Sequence, residues 1–228
     1  MEKVSQSEFL ERLDGGQENF KNFVFEDLVL KDITIRNNID FSGSKFITVK
    51  LERMKFEKPV NFTNCEFEYG FDIDSAEFFD KVIFRKTVFP DSCFLDITEV
   101  RFHDDVFFNQ AILAGGVSFF ETSFEGSLSF KDALISPLFH IRNSSVRHLS
   151  FDLTAYEDGD DSDLEISFEG TKFEGFLEMS FKNNPRKIVC SIENARIIHC
   201  AAPTIPLVVN YGAEDEKRSI YDSMFFTF

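Results

Sequence analysis

The densest group of side chains that could do chemistry is Glu157, Asp158, Asp160, Asp161 and Asp163, in a stretch whose single turn former is Gly159. Clustered carboxylates are hard oxygen donors suited to calcium or magnesium. A calcium loop of the form D-x-[DN]-x-[DN]-G-x5-E needs glycine at its sixth position for a sharp turn. Counted from Asp158, that position is Asp163. The stretch is expected to be a solvated loop or a contact for a basic partner, and no metal is assigned to it.

The other candidates disperse. His103, His140, His148 and His199 show no ligand spacing, and no recurring carboxylate or nucleophile accompanies them. Cys65, Cys93, Cys190 and Cys200 contain no C-x-x-C pair, so they read as small buried thiols. A glycine-rich phosphate loop, G-x-S-x-G and H-E-x-x-H are all absent. No catalytic residue, cofactor or metal ligand follows from these positions, and an enzyme is not expected.

Charge narrows the partners. The chain carries 40 acidic against 24 basic side chains, a formal charge of −16, which repels nucleic acid and anionic lipid. Direct nucleic-acid binding and membrane association are therefore not expected. Met1 to Ser5 leads into polar residues with no apolar core of a signal peptide, and no apolar run approaches the roughly 20 residues of a membrane span. A cytoplasmic location is the expectation.

The elements that position all these residues declare themselves through phenylalanine. The 228 residues hold 31 Phe and no Trp, a bias that suggests one structural slot used many times. Leu51, Phe62, Ile73 and Phe84 recur every eleven residues; after two extra residues the beat resumes at Ile97, Phe108, Phe119, Phe130 and Ile141. A second column, Phe56, Phe67, Phe78 and Phe89 and then Phe102, Leu113, Phe124, Ile135 and Val146, interleaves at alternating spacings of five and six. Two residues before each first-column centre stands an apolar residue, as at Val60, Phe71 and Val82. Before the second column, from Phe67 on, the residue is nearly always small, as at Cys65, Ala76 and Thr87.

Neither helical spacing nor a plain strand alternation fits this beat. A chain that turns a corner after each short strand does, with each centre and the residue two before it pointing inward. Four such units close one coil of 22 residues.

Stretches such as Ser44-Lys45-Phe46, Ala76-Glu77-Phe78 and Ala133-Leu134-Ile135 resemble pentapeptide-repeat proteins in the phenylalanine-rich variant of that repeat, over roughly residues 20 to 200. The pattern departs from the commoner A-[DN]-L-x-x form in its Phe centres and in an extra residue in every second unit. The resemblance implies an all-β, right-handed, quadrilateral parallel β-helix, with about eight coils between residues 25 and 200. Some members of that family mimic DNA and occupy the DNA site of type II topoisomerases such as gyrase.

A solenoid must cover its terminal rungs. Ser5-Gln6-Ser7-Glu8 has capping-box spacing, Phe9, Leu10 and Leu13 supply an apolar face, and Gly15-Gly16 ends the helix, so residues 1–19 are expected as an N-terminal capping helix. Residues 20–212 form the β-helix, interrupted by the acidic loop near 152–165. Residues 213–228, with Ile220, Tyr221, Met224 and Phe225 at helical spacing, are expected as a C-terminal capping or pairing helix.

With catalysis set aside, the outward positions carry the functional expectation. Val88, Ile112 and Leu134 fall one coil apart just before second-column centres, and Ile83 and Phe107 do so on the preceding face. The half-coil positions opposite are Asp72, Glu77, Asp96 and Arg101. An apolar side on an acidic rod marks a binding surface. Two roles follow: a non-catalytic scaffold for an unidentified protein partner, or a homodimer formed through this side or the C-terminal helix. DNA mimicry is the alternative. Lys45, Lys50, Arg53, Lys55 and Lys58, and later Arg85 and Lys86, interrupt the carboxylates that mimicry would need.

Overall fold

The computed structural model describes residues 1–136, 138–152, 154–156 and 164–180, with the strands Ile188–Ser191, His199–Cys200 and Leu207–Asn210 beyond them. Its strands pair in parallel throughout, in two sheets that each supply two faces of a four-sided solenoid. This is the architecture implied by the resemblance to pentapeptide-repeat proteins. Face one is centred on Phe46, Phe67, Phe89, Leu113 and Ile135. Face two is centred on Leu51, Ile73, Ile97, Phe119 and Ile141. Face three carries Ile35, Phe56, Phe78, Phe102, Phe124, Val146 and Phe173. Face four carries the column through Phe41, Phe62, Phe84, Phe108 and Phe130.

Along face two the register runs Leu28, Val49, Phe71, Leu95, Val117, Phe139, Ile166, Cys190 and Val209, nine rungs in all. Eight steps of roughly 4.8 Å make a stack about 38 Å long. Both phenylalanine columns read from the sequence point into its lumen, and Phe62, Phe84, Phe108 and Phe130 are all buried.

Parallel register puts like residues in like environments, so neighbouring rings adopt the same rotamer and stack at the rung spacing. On face four, Phe62 lies 4.9 Å from Phe84 with planes 3° apart. On face three, Phe56 and Phe78 are 4.6 Å apart at 3°. Across the lumen the rings instead meet edge to face, as Phe71 does with Phe84 at 87°. Both arrangements suit the aromatic quadrupole.

Two of the four corners use left-handed backbone at coil after coil, and Gly116 adds a single positive φ at a third corner. One holds Asn22, Gly43, Asn64, Lys86, Gln110 and Asp132; the other holds Asp32, Arg53, Ser75, Glu99, Glu121, Asn143 and Gly170. Each stands three residues before a column centre, within the five-residue step of the repeat, and from Asn64 onward the residue after it is small apart from Val100. At the first of these corners a bond from the small residue closes a four-residue turn, as from Cys65 N–H to Phe62 O at 3.1 Å and from Ala111 N–H to Phe108 O at 3.0 Å. Positive φ at the third residue is the signature of such a turn.

The N-terminal segment is a strand followed by a helix. Glu2–Val4 pairs in parallel with Phe23–Phe25, and the helix spans Gln6–Asp14. The expectation of a helix over residues 1–19 is corrected to that extent: three residues of strand carry no periodic signal. The capping box is formed, with Ser5 N–H donating to Glu8 Oε2 at 2.9 Å and Glu8 N–H donating to Ser5 Oγ at 3.3 Å. Phe9, fully buried, turns down onto Phe20, Phe25 and Phe41 and closes the lumen. The expected acidic loop, at Glu157 to Asp163, and the expected C-terminal helix, at 213–228, lie outside the described residues.

Candidate interaction surface

Outward side chains form columns because each rung repeats the pleat of the last. Val88, Ile112 and Leu134 are direct register partners on face one, and Ile83 and Phe107 are partners on face four. Ile112 is 38% exposed, while Val88, Leu134, Ile83 and Phe107 are half-buried. The charged positions opposite also stack, Asp72 on Asp96 along face two and Glu77 on Arg101 along face three.

The corner between faces four and one separates the two apolar groups. Its residues are Arg85 and Lys86, Asn109 and Gln110, and Lys131 and Asp132 on successive coils. On one side of this polar ridge Ile83 and Phe107 line an open groove of about 370 Å3, with Arg85, Asn109, Gln110 and Lys131 in its walls. Arg85 has no ion-pair partner among the described residues, whereas Lys131 donates to Asp152 at 2.6 Å. On the other side, Val88 and Pro90 line a smaller hollow with Lys45, Glu66 and Glu68.

The apolar area extends beyond face one, onto its corner with face two, further than the repeat indicated. Phe94 pairs with Gly70 at the far corner, and Leu138 occupies the equivalent place two rungs on. They are 40% and 50% exposed. Between them Gly116, at φ +99°, lies so close to the Phe94 ring that a Cβ there would sit 2.8 Å from its Cε2. Phe94 escaped the sequence reading because it lies where the two extra residues break the beat. Leu138 stands just before an inward residue and gives no periodic signal of its own.

The small slots also do more than make room. Thr87 Oγ1 donates to Phe62 O at 2.8 Å, Thr154 Oγ1 to Phe130 O at 2.8 Å and Thr171 Oγ1 to Ile141 O at 2.6 Å. Cys65 Sγ makes the same contact with Phe41 O at 3.1 Å. Each tie joins one coil to the carbonyl of the coil before it, a role that small size alone did not signal.

The remaining titratable groups are parts of ladders. His103 stacks on Phe79 at 4.7 Å and its Nδ1 lies 3.0 Å from Glu125 Oε2. His148 accepts from Phe176 N–H at 3.2 Å, and His140 stands in register between Ser118 and Ser167. Burial, and then the like charge of Asp96, push the Asp72 carboxyl above its ordinary range. Cys65 and Cys93 are buried and free, and burial pushes both thiols up to about 12. No group of three or more His, Cys, Asp or Glu that could hold a metal ion occurs among the described residues. No helix among them is long and apolar enough to cross a membrane.

No family model and no curated protein matches the chain. Among solved structures it is similar to HetL, a pentapeptide repeat protein involved in heterocyst differentiation regulation from the cyanobacterium Nostoc sp. strain PCC 7120. That likeness has 12% identity and a TM-score of 0.30, covering 90% of this chain and 97% of that one. The parallel four-sided fold follows from this chain's own strand register.

Proposed function

We propose that this four-sided solenoid is a non-catalytic scaffold that binds a protein partner through the side formed by faces four and one. The observation that carries the reading is the stacking of Val88, Ile112 and Leu134, continued by exposed Phe94 and Leu138, on a rod whose opposite faces present Asp72, Asp96, Glu77 and Arg101. Exposed apolar side chains on the other faces stand singly, as Phe79 does beside His103 and Phe120 beside Thr98, whereas a stacked apolar column favours docking. The partner that suits it brings an apolar patch for face one and a carboxylate for Arg85. A cytoplasmic protein with such a patch, or a second copy of this chain, fits that description.

DNA mimicry is the weaker reading. A mimic needs unbroken rows of carboxylates, whereas here cations interleave with acids from coil to coil. Arg53 pairs with Asp32, Lys45 with Glu68, Lys55 with Glu77 and Lys131 with Asp152. A gyrase supercoiling assay separates the two, since a scaffold leaves supercoiling unchanged. The scaffold reading is tested by quantitative pull-down with the wild type and with the Phe107→Ser/Ile112→Asp variant. Neither side chain faces the lumen, so the fold should survive and the captured partner should be lost. Equal capture by both proteins would sink the proposal.

A further inference from the structure

Three faces of the first coil have a hydrogen-bond partner at their outer edge. On face one, Glu2–Val4 adds a strand to Phe23–Phe25. On face two, Val29 N–H donates to Gln6 Oε1 at 3.1 Å. On face four, Asp40 N–H donates to Glu18 O at 2.9 Å and Phe20 N–H donates to Asp40 O at 2.8 Å. Face three is different. Its first strand, Thr34–Ile35, pairs with Lys55–Phe56 and, among the described residues, with nothing on its other side.

Every later rung of face three repeats one bonding pattern. Lys55 N–H donates to Ile33 O and Glu57 N–H to Ile35 O, both at 2.9 Å; Glu77 and Phe79 N–H do the same to Met54 and Phe56 O, both at 2.9 Å. The equivalent donors of the first rung are Thr34 N–H and Arg36 N–H, and neither has an acceptor among the described residues. Both residues are exposed. Beside them lies a hollow of about 460 Å3 lined by Leu10 and Leu13 of the helix, Asp14, and residues 33–37. Leu10, Leu13 and Ile33 are half-buried there.

We propose that this edge binds one extended peptide strand, which adds a parallel rung to face three ahead of Thr34–Arg36. Two carbonyls of the strand accept from Thr34 and Arg36 N–H, as the carbonyls of Ile33 and Ile35 accept from the rung above. The strand residue aligned with Ile35 points inward, so a branched apolar side chain packs there against Leu10 and Leu13. The next residue lies beside Arg36. The Arg36 side chain is 73% exposed and pairs only loosely with Glu57, Nε to Oε1 at 3.7 Å, so a carboxylate at this position finds a cation with most of its donors open. A basic residue elsewhere in the strand suits Asp14 and the overall charge of −16. The occupant is thus a short β-strand of the form basic-polar-branched apolar-acidic.

The probe is an end-blocked, fluorescein-labelled peptide Lys-Thr-Val-Glu-Thr, titrated with the full chain by anisotropy and by amide NMR. Binding should move the Thr34 and Arg36 amide resonances downfield and slow their exchange. Arg36→Glu should weaken binding about tenfold, as should exchanging the peptide's Glu for Lys. Thr34→Pro should do the same by removing one donor; if that variant does not fold, the amide shifts and Arg36→Glu decide the matter. No binding, or binding that leaves the Thr34 and Arg36 amides unmoved, would overturn the proposal. Concentration-dependent movement of those amides without peptide would overturn it too, by showing that a second copy takes the edge.

Discussion

Phe84 and Phe108 stand one coil apart with ring centroids 4.6 Å apart and planes within 4°, in a face-four stack that runs from Phe41 to Phe151. The strands on either side hold the rungs at fixed spacing, so the stack cannot close over a missing ring. Phe84→Ala should cost about 3–5 kcal/mol. Denaturant unfolding measures it, and a loss under about 1 kcal/mol would mean that the lumen relaxes freely.

The left-handed corners are strained by residue type. Lys86 sits at φ 57° with its side chain exposed, and it follows Arg85 in a turn closed by Thr87 N–H donating to Phe84 O at 3.3 Å. A non-glycine residue there costs about 1–2 kcal/mol. Glycine gives back about 0.4–1 kcal/mol of that through the greater freedom of its unfolded chain. Lys86→Gly should therefore gain about 0.5 kcal/mol, and Lys86→Val should lose more than that. Paired melting curves would decide, and the opposite order would show that the corner is not under strain.

Burial of the free thiols makes stability depend on alkaline pH. In the unfolded chain Cys65 and Cys93 lose their protons near about pH 8.5, whereas in the folded chain burial holds both thiols protonated up to about pH 12. The folded state binds more protons across that window, so their contribution is complete below it and falls as pH rises through it. The Cys65→Ala/Cys93→Ala variant should lose less stability than the wild type between about pH 8.5 and 10.5. Identical pH dependence of the two proteins would contradict this assignment.

How much of this was legible in the sequence depends on whether a feature repeats. The lumen was readable because Phe62, Phe84, Phe108 and Phe130 recur at a fixed interval and every one is buried. The corners were not, because their left-handed positions hold Arg, Lys, Glu, Gln and Ser as well as Gly and Asn, so no residue type marks them. The hydroxyl ties alternate with alanine, as Thr87 and Thr122 do with Ala76, Ala111 and Ala133, and size alone conveyed only space. The apolar columns of Val88–Ile112–Leu134 and Ile83–Phe107 followed from register. The polar ridge between them and the additions of Phe94 and Leu138 depend on corner geometry, which the repeat does not encode. The open edge at Thr34 and Arg36 could be seen only once the bonds of all four first-coil faces were known.

The central claim is that one side of the rod binds protein and the opposite side does not. A photo-crosslinking residue placed at Ile112 reports on face one, and the same residue at Arg101, on face three, reports on the charged side opposite. After irradiation in cells, purification under denaturing conditions and mass spectrometry, the account predicts a defined protein adduct from position 112 and none from position 101. Adducts from position 101 alone, or the same adducts from both positions, would contradict it.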